Sequence, residues 1–315
     1  MRHDGAVTRT FTRMALRWRR FAEGDVMYAF RHSPTAICSF ILIVILTLAA
    51  FFAPWIAVQN PFDLASIDIA EAHLPPVWCG GEVSRFLGTD DQGRDLFSTM
   101  LYGMRLSLMI SVASVSLSIV IGVSLGLLSG FVGGIVDALI MRICDVMLSF
   151  PAILVALLVD GILRAALASS THEGMAYSVL IFAIALSGWV QYARTVRGLT
   201  LMEKQKEYVL SARVIGVRRF PLVFGHILPN VLSPVFVLAT VHIATAIMTE
   251  ATLSFLGVGV PPTTPSLGTL IRIGNDYLFS GEWWVTLFPG AALVLLVLAV
   301  NLFGDWMRDA LNPKL

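Results

Sequence analysis

The chain has 315 residues, of which 57% are apolar and 14% charged, against about 25% charged residues in a typical soluble domain. With a mean hydropathy of +0.79, no ordinary water-soluble fold of this size hides so much hydrocarbon, so the bilayer is part of its solvent. The net charge of +1 provides no global field for nucleic acid or an acidic polymer.

In chain order, a basic leader (1–35) carries Arg2, Arg9, Arg13, Arg17, Arg19, Arg20 and Arg31. Within it Phe11, Met14, Ala15, Trp18 and Phe21 recur at helical spacing, which suits either an amphipathic helix on an anionic leaflet or a disordered basic arm. The first apolar run (36–56) reads as a retained span, because its leader exceeds a secretory n-region and further spans follow. An acidic connection, 57–104, comes next. Five more spans are expected at about 105–130, 138–159, 175–192, 232–255 and 283–303. The third is less clean, with Arg142, Asp145 and Pro151 inside or beside it.

The fourth connection carries Arg194, Arg197, Lys204, Lys206, Arg213, Arg218 and Arg219. With the leader, it places both termini and this loop in the cytoplasm by the positive-inside rule. The fold class is all-α: a polytopic membrane protein of six helices, with a five-helix core at 105–306 and a cytoplasmic tail at 307–315.

Gly122, Gly126 and Gly130 form a doubled G-x-x-x-G, a pattern for close helix packing that says nothing about a solute. Arg142 and Asp145, three residues apart, are expected to neutralise each other. Glu250 is expected at the outer interface or as a turn cap, and His242 as a hydrogen-bonded structural histidine. Cys38, Cys79 and Cys144 form no metal or disulfide pattern and read as small apolar fillers.

The cytoplasmic connection 198–229 is charged, yet its residues from Glu203 to Arg213 are good helix formers with Tyr208, Val209, Leu210 and Ala212 available for an apolar face. Gly216 breaks the run, and a second amphipathic piece, 218–228, is expected to end at Pro229. Helix, tight turn and second helix make a docking knob.

This knob is similar to the cytoplasmic signature of the inner-membrane permease subunits of binding-protein-dependent ABC importers, E-A-A, three residues, G, nine residues, I-x-L-P. Aligned on Gly216 and Pro229, the string places Leu210, Ser211 and Ala212 at the E-A-A positions and His226 at the isoleucine. Of the general consensus only Ala212, Gly216, Leu228 and Pro229 match, but the string from Glu207 to Asn230 resembles the variant of the dipeptide and oligopeptide branch. A second string, L-G-T-D-D-Q-G-R-D-L at 87–96, followed by Tyr102, Gly103 and Arg105, is similar to the segment before the second span of C-type peptide permeases. In physical terms, Thr89 or Asp90 is expected to cap a helix beginning near Asp91, with Gly88, Gly93, Arg94 and Asp95 in the same structural motif.

The resemblance implies half of a translocation pathway in a bacterial inner membrane. It assigns ATPase coupling to Glu207, Tyr208, Ala212, Arg213, Gly216, Leu228 and Pro229. It also implies a second homologous permease subunit in a heterodimer, two ATPase subunits holding ATP and Mg, and an extracytoplasmic peptide-binding protein. The chain itself contains no G-x-x-x-x-G-K-[S/T], nor any Gly-Lys pair, so it is expected to bind no cofactor or metal and not to be the ATPase. The alternative is a secondary transporter driven by an ion gradient, which predicts mid-membrane carboxylate pairs or broken helices. A membrane enzyme would require a nucleophile, base and orienting acid that no motif assembles here.

Overall fold

The computed structural model describes residues 25–63, 67–166 and 173–310; the expected amphipathic leader lies outside them, as does the end of the tail. Among the described residues the principal elements are all helical. They are α1 (Asp25–His32), α2 (Pro34–Phe51), α3 (Leu96–Val132), α4 (Gly134–Leu148), α5 (Ala152–Ala166), α6 (Glu173–Glu203), α7 (Glu207–Val214), α8 (Leu228–Phe255), α9 (Leu267–Tyr277) and α10 (Trp283–Ala310).

Five helical stretches are long and apolar enough to cross a bilayer, and a sixth crossing exists only if α4 and α5 together count as one. The expected third span is therefore not a continuous helix. It breaks at Ser149, Phe150 and Pro151, and its halves meet at 98°, because a proline cannot donate into the helix and its ring disfavours helical geometry in the preceding residue.

The second span starts nine residues before the expected Arg105. At 37 residues α3 is about 55 Å long, nearly twice the thickness of the hydrocarbon layer. The fourth span likewise runs on to Glu203, so Arg194 and Arg197 ride on a helix instead of lying in a loop.

The packing centres on α3 against α6. A Cβ on Gly122 would stand 2.5 Å from the Trp189 carbonyl oxygen, one on Gly126 2.6 Å from that of Ala193, and one on Gly130 2.7 Å from the Thr200 Cβ. Backbone meets backbone along this seam because side chains are missing there. α2 docks on the far side, with Ala50 in a buried cluster with Met104, Ala244, Leu267 and Leu296 of α3, α8, α9 and α10. Of the cysteines only Cys144 is buried; Cys38 and Cys79 are exposed, so the filler reading holds for Cys144 alone.

Candidate functional site

One end of the bundle carries a compact foot. α6 stops at Glu203, a turn at 204–206 reverses the chain, and α7 runs to Val214. Glu207 lies in the first turn of α7, where a carboxylate meets the helix's positive pole. At the other end the Val217 amide donates to the Ala212 carbonyl (3.0 Å) and the Gly216 amide to Arg213 (3.0 Å), with Gly216 at φ +87°. This is a Schellman closure, whose left-handed residue is usually glycine. No atom lies within 4 Å of a Cβ built on Gly216, so backbone conformation alone explains the glycine.

The foot is a solid extension of the spans. Val209, Ala212, Leu222 and Ile227 share a core with Val123 and Leu127 of α3 and Tyr192 and Val196 of α6, and Leu228 packs against it. Lys204 donates to the Gly130 carbonyl at 2.9 Å, Tyr208 donates to Glu203, and Asn230 donates to the Tyr208 hydroxyl at 3.0 Å. Arg213 sits 5.8 Å from the Phe131 ring centre, within cation–π range. Burial and the Glu203 carboxylate push the Tyr208 phenol up to about 12.

The outward side exposes apolar groups beside the exposed Arg213, Arg218 and Arg219. Val214 is 88% exposed, Ile215 81% and Phe220 74%, whereas the expected apolar face contributes only Val209 and Ala212 to the interior and leaves Leu210 exposed. The piece after Gly216 does not end at Pro229. Arg219–Leu222 passes through a π turn, Val223–Ile227, directly into α8, with Pro229 in the first turn of that helix. There proline is tolerated, and the π turn absorbs the change of register.

The opposite end folds 67–95 over α3. Neither Thr89 nor Asp90 caps that helix. Asp95 does, accepting from the Ser98 amide at 2.8 Å and the Ser98 hydroxyl at 2.5 Å. Thr89 instead donates to the Glu71 carbonyl (2.6 Å) and accepts from the Leu74 amide (2.8 Å). Asp90 accepts from the amides of Gln92 (2.9 Å) and Arg94 (3.0 Å) and from Arg94 Nε (2.6 Å). Arg94, fully buried, reaches the Pro262 carbonyl at 3.1 Å. Gly88 and Gly93 have φ of +86° and +77°, and Cβ atoms there would stand 2.4 Å from Leu74 O and 2.0 Å from Asp68 O. Burial, and the Asp90 carboxylate beside it, push the Asp91 carboxyl up.

Between the ends lie polar contacts that are only partly legible in the sequence. Asp145 pairs with Arg194 across helices and not with Arg142, which is exposed; their chain spacing was outweighed by the approach of α6 to α4. Glu250 neither reaches the interface nor caps a turn. It is fully buried, accepting from Ser107 at 2.7 Å and Ser254 at 2.8 Å. His242 shares a 3.0 Å hydrogen bond with the Tyr192 hydroxyl. Asp160 and Arg164 pair at 2.6 Å, and Arg164 also donates to the Gly259 carbonyl at 2.8 Å. Their i, i+4 spacing is a signal visible in the sequence; Asp137 with Arg197, 60 residues apart, offers none.

A bundle of long apolar helices with a foot at one end and a folded cap at the other defines a polytopic helical membrane protein. Residues 122–315 match the family described as binding-protein-dependent transport system inner membrane component, and residues 24–76 match the N-terminal TM domain of oligopeptide transport permease C. The chain belongs to this permease family. It is 38% identical over 288 residues to the di/tripeptide transport system permease protein DppC of Pseudomonas aeruginosa, covering 91% of this chain and 90% of that one. Against the dipeptide transport system permease protein DppC of Haemophilus influenzae it is 40% identical over 292 residues, 92% of this chain and 94% of that one. The probable D,D-dipeptide transport system permease protein DdpC of Escherichia coli is 37% identical over 295 residues, covering 94% and 93%.

Proposed function

We propose that this chain is one of two unlike permease subunits of an ATP-driven importer of dipeptides or oligopeptides in a bacterial inner membrane, with both termini cytoplasmic. Two ATPase subunits hold ATP and Mg, and an extracytoplasmic binding protein delivers the solute. The observation that carries the reading is the foot. Its apolar sole, Val214, Ile215 and Phe220, is exposed at the end that the arginine and lysine distribution assigns to the cytoplasm, while its upper side shares a core with α3 and α6.

Exposed apolar surface of this kind marks a contact with another protein, and the shared core makes the foot a lever. When the ATPases close on nucleotide they displace the sole, and Val209, Ala212 and Ile227 carry that displacement to the spans. Transport couples because nucleotide and solute each favour one arrangement of the spans over the other. Peptides are the favoured solute class because the relatives named above are di- and tripeptide permeases.

The test is reconstitution of this chain with its sister permease and ATPases in vesicles, with dipeptide supplied on the binding protein. Uptake is expected to require ATP. Uptake driven by an ion gradient with the ATPases omitted would instead establish the secondary-transporter alternative. Orientation is checked separately by labelling Ser211→Cys and Ser84→Cys from either side of the membrane, each with Cys38, Cys79 and Cys144 replaced by serine.

A further inference from the structure

Arg105 is half-buried and, among the described residues, has no anionic partner. Among the described residues it makes no hydrogen bond or ion pair; its guanidinium carbon lies 5.9 Å from the Phe51 ring centre. Three other arginines are committed, Arg85 to Glu71 at 2.9 Å, Arg94 to Asp90 at 2.6 Å and Arg164 to Asp160 at 2.6 Å, while Arg272 packs against Gly257. A cation held against an aromatic face retains its capacity for a planar, two-point partner.

Arg105 faces a cavity of about 380 Å³ whose walls include Phe62, Tyr102, Tyr177 and Thr264, within the range of roughly 300–1,000 Å³ usual for small-molecule sites. Phe62 and Tyr102 meet edge to face at 5.2 Å, and the Tyr177 and Thr264 hydroxyls are hydrogen-bonded to each other. The cavity is built by the fold. Gly103 lets the 264–266 strand of chain approach α3, since a Cβ there would stand 3.1 Å from the Pro265 carbonyl oxygen, and this brings Thr264 beside the turn that carries Arg105. A cation, a hydroxyl pair and aromatic walls match one end of a short peptide: a carboxylate, a peptide amide and an apolar side chain.

We propose that this cavity is a subsite for the C-terminal end of the transported peptide, with Arg105 binding its carboxylate as the solute enters from the outer side. The inference rests on the importer reading and adds a contact to it. Bidentate guanidinium–carboxylate pairing supplies the specificity, and lysine reproduces its charge but not its fork.

The test uses the complete transporter in phosphatidylcholine vesicles, with saturating binding protein loaded with a radiolabelled dipeptide or the same dipeptide as its C-terminal amide. The binding protein is unaltered throughout, so its own preference cancels when variants are compared. In Arg105→Gln the carboxylate-to-amide uptake ratio is expected to fall about tenfold, with partial recovery in Arg105→Lys. A ratio unchanged by Arg105→Gln, including equal losses for both peptides, overturns the site while leaving the importer reading in place. A ratio that changes only when phosphatidylglycerol is added makes Arg105 a lipid ligand and overturns it too. Absence of ATP-dependent uptake by the unaltered complex overturns the importer reading, and the subsite with it.

Discussion

Arg197 holds both oxygens of Asp137, Nε to Oδ1 at 2.5 Å and Nη2 to Oδ2 at 2.7 Å, across 60 residues of chain. Ser129 near the end of α3 donates to the same carboxylate, so one ion pair ties α3, α4 and α6 together next to the Gly130 carbonyl that receives Lys204 from the foot. In the proposed coupling, this link lies where motion of the foot would enter the bundle.

Breaking this pair is expected to uncouple transport without abolishing assembly. Asp137→Asn and Arg197→Gln should each raise the ATP hydrolysed per peptide imported severalfold, and the double variant should be no worse than the poorer single one, because each single change strands the other partner. The pair is partly solvated, so its net worth is about 1 kcal/mol. Purely additive effects in the uptake-to-ATPase ratio would show that the two residues act separately.

At Gly216 the surrounding space is open and only the backbone is demanding. Gly216→Asn, which tolerates the left-handed region, should keep ATPase subunits attached and uptake within a few-fold of the parent. Gly216→Val should cost about 1–3 kcal/mol of local stability and release them while the chain still inserts. Co-purification with the ATPases separates the two outcomes. Equal behaviour of the two variants would point to a role for the glycine other than its φ.

Crowding, not conformation, governs the α3–α6 seam. Gly126→Val pushes a side chain into the Ala193 carbonyl and Val196 and should lower stability by about 1–3 kcal/mol, read as a drop of several degrees in the melting temperature of the detergent-solubilised complex. Gly198→Ala, on α6 where nothing lies within 4 Å of the new Cβ, should be close to neutral. A neutral Gly126→Val would mean that the seam is looser than described.

Tyr208 gives the foot an alkaline limit. An ordinary phenol ionises near 10, and that of Tyr208 is pushed up to about 12, so the folded foot favours the protonated form. The resulting stabilisation is complete below about pH 10 and is lost as pH rises through about 12. The Tyr208 hydroxyl should thus stay protonated between pH 6 and 9, and the difference in phenolate absorbance between the parent and Tyr208→Phe, which cancels the other tyrosines, should rise near pH 12. A difference that rises near 10 instead would show the hydroxyl to be free of Glu203.

Much of the architecture was legible because it rests on composition and short-range pattern. Long apolar runs located the spans, since the bilayer demands them wherever they occur. Gly122, Gly126 and Gly130 announced a close contact because only missing side chains permit one. The run to Arg213 followed by Gly216 announced the foot, as helix propensity and a left-handed stop are both local properties. The length of α3 and α6 was not legible: outside hydrocarbon, tertiary contacts with the cap and foot sustain the helix, and those contacts come from distant sequence.

The apolar membrane setting, the approximate spans, the foot and the family can be read from residue order alone, because each depends on residues within about one helix length of one another. Partnership was decided only by the tertiary structure. Asp145 chose Arg194 over Arg142, Glu250 was drawn inward to Ser107, Asp95 displaced Thr89 and Asp90 as the cap, and Arg105 was left facing a cavity. In a low-dielectric interior a charge is stabilised by whatever polar group the packing brings within about 3 Å, and that proximity is set by how helices cross.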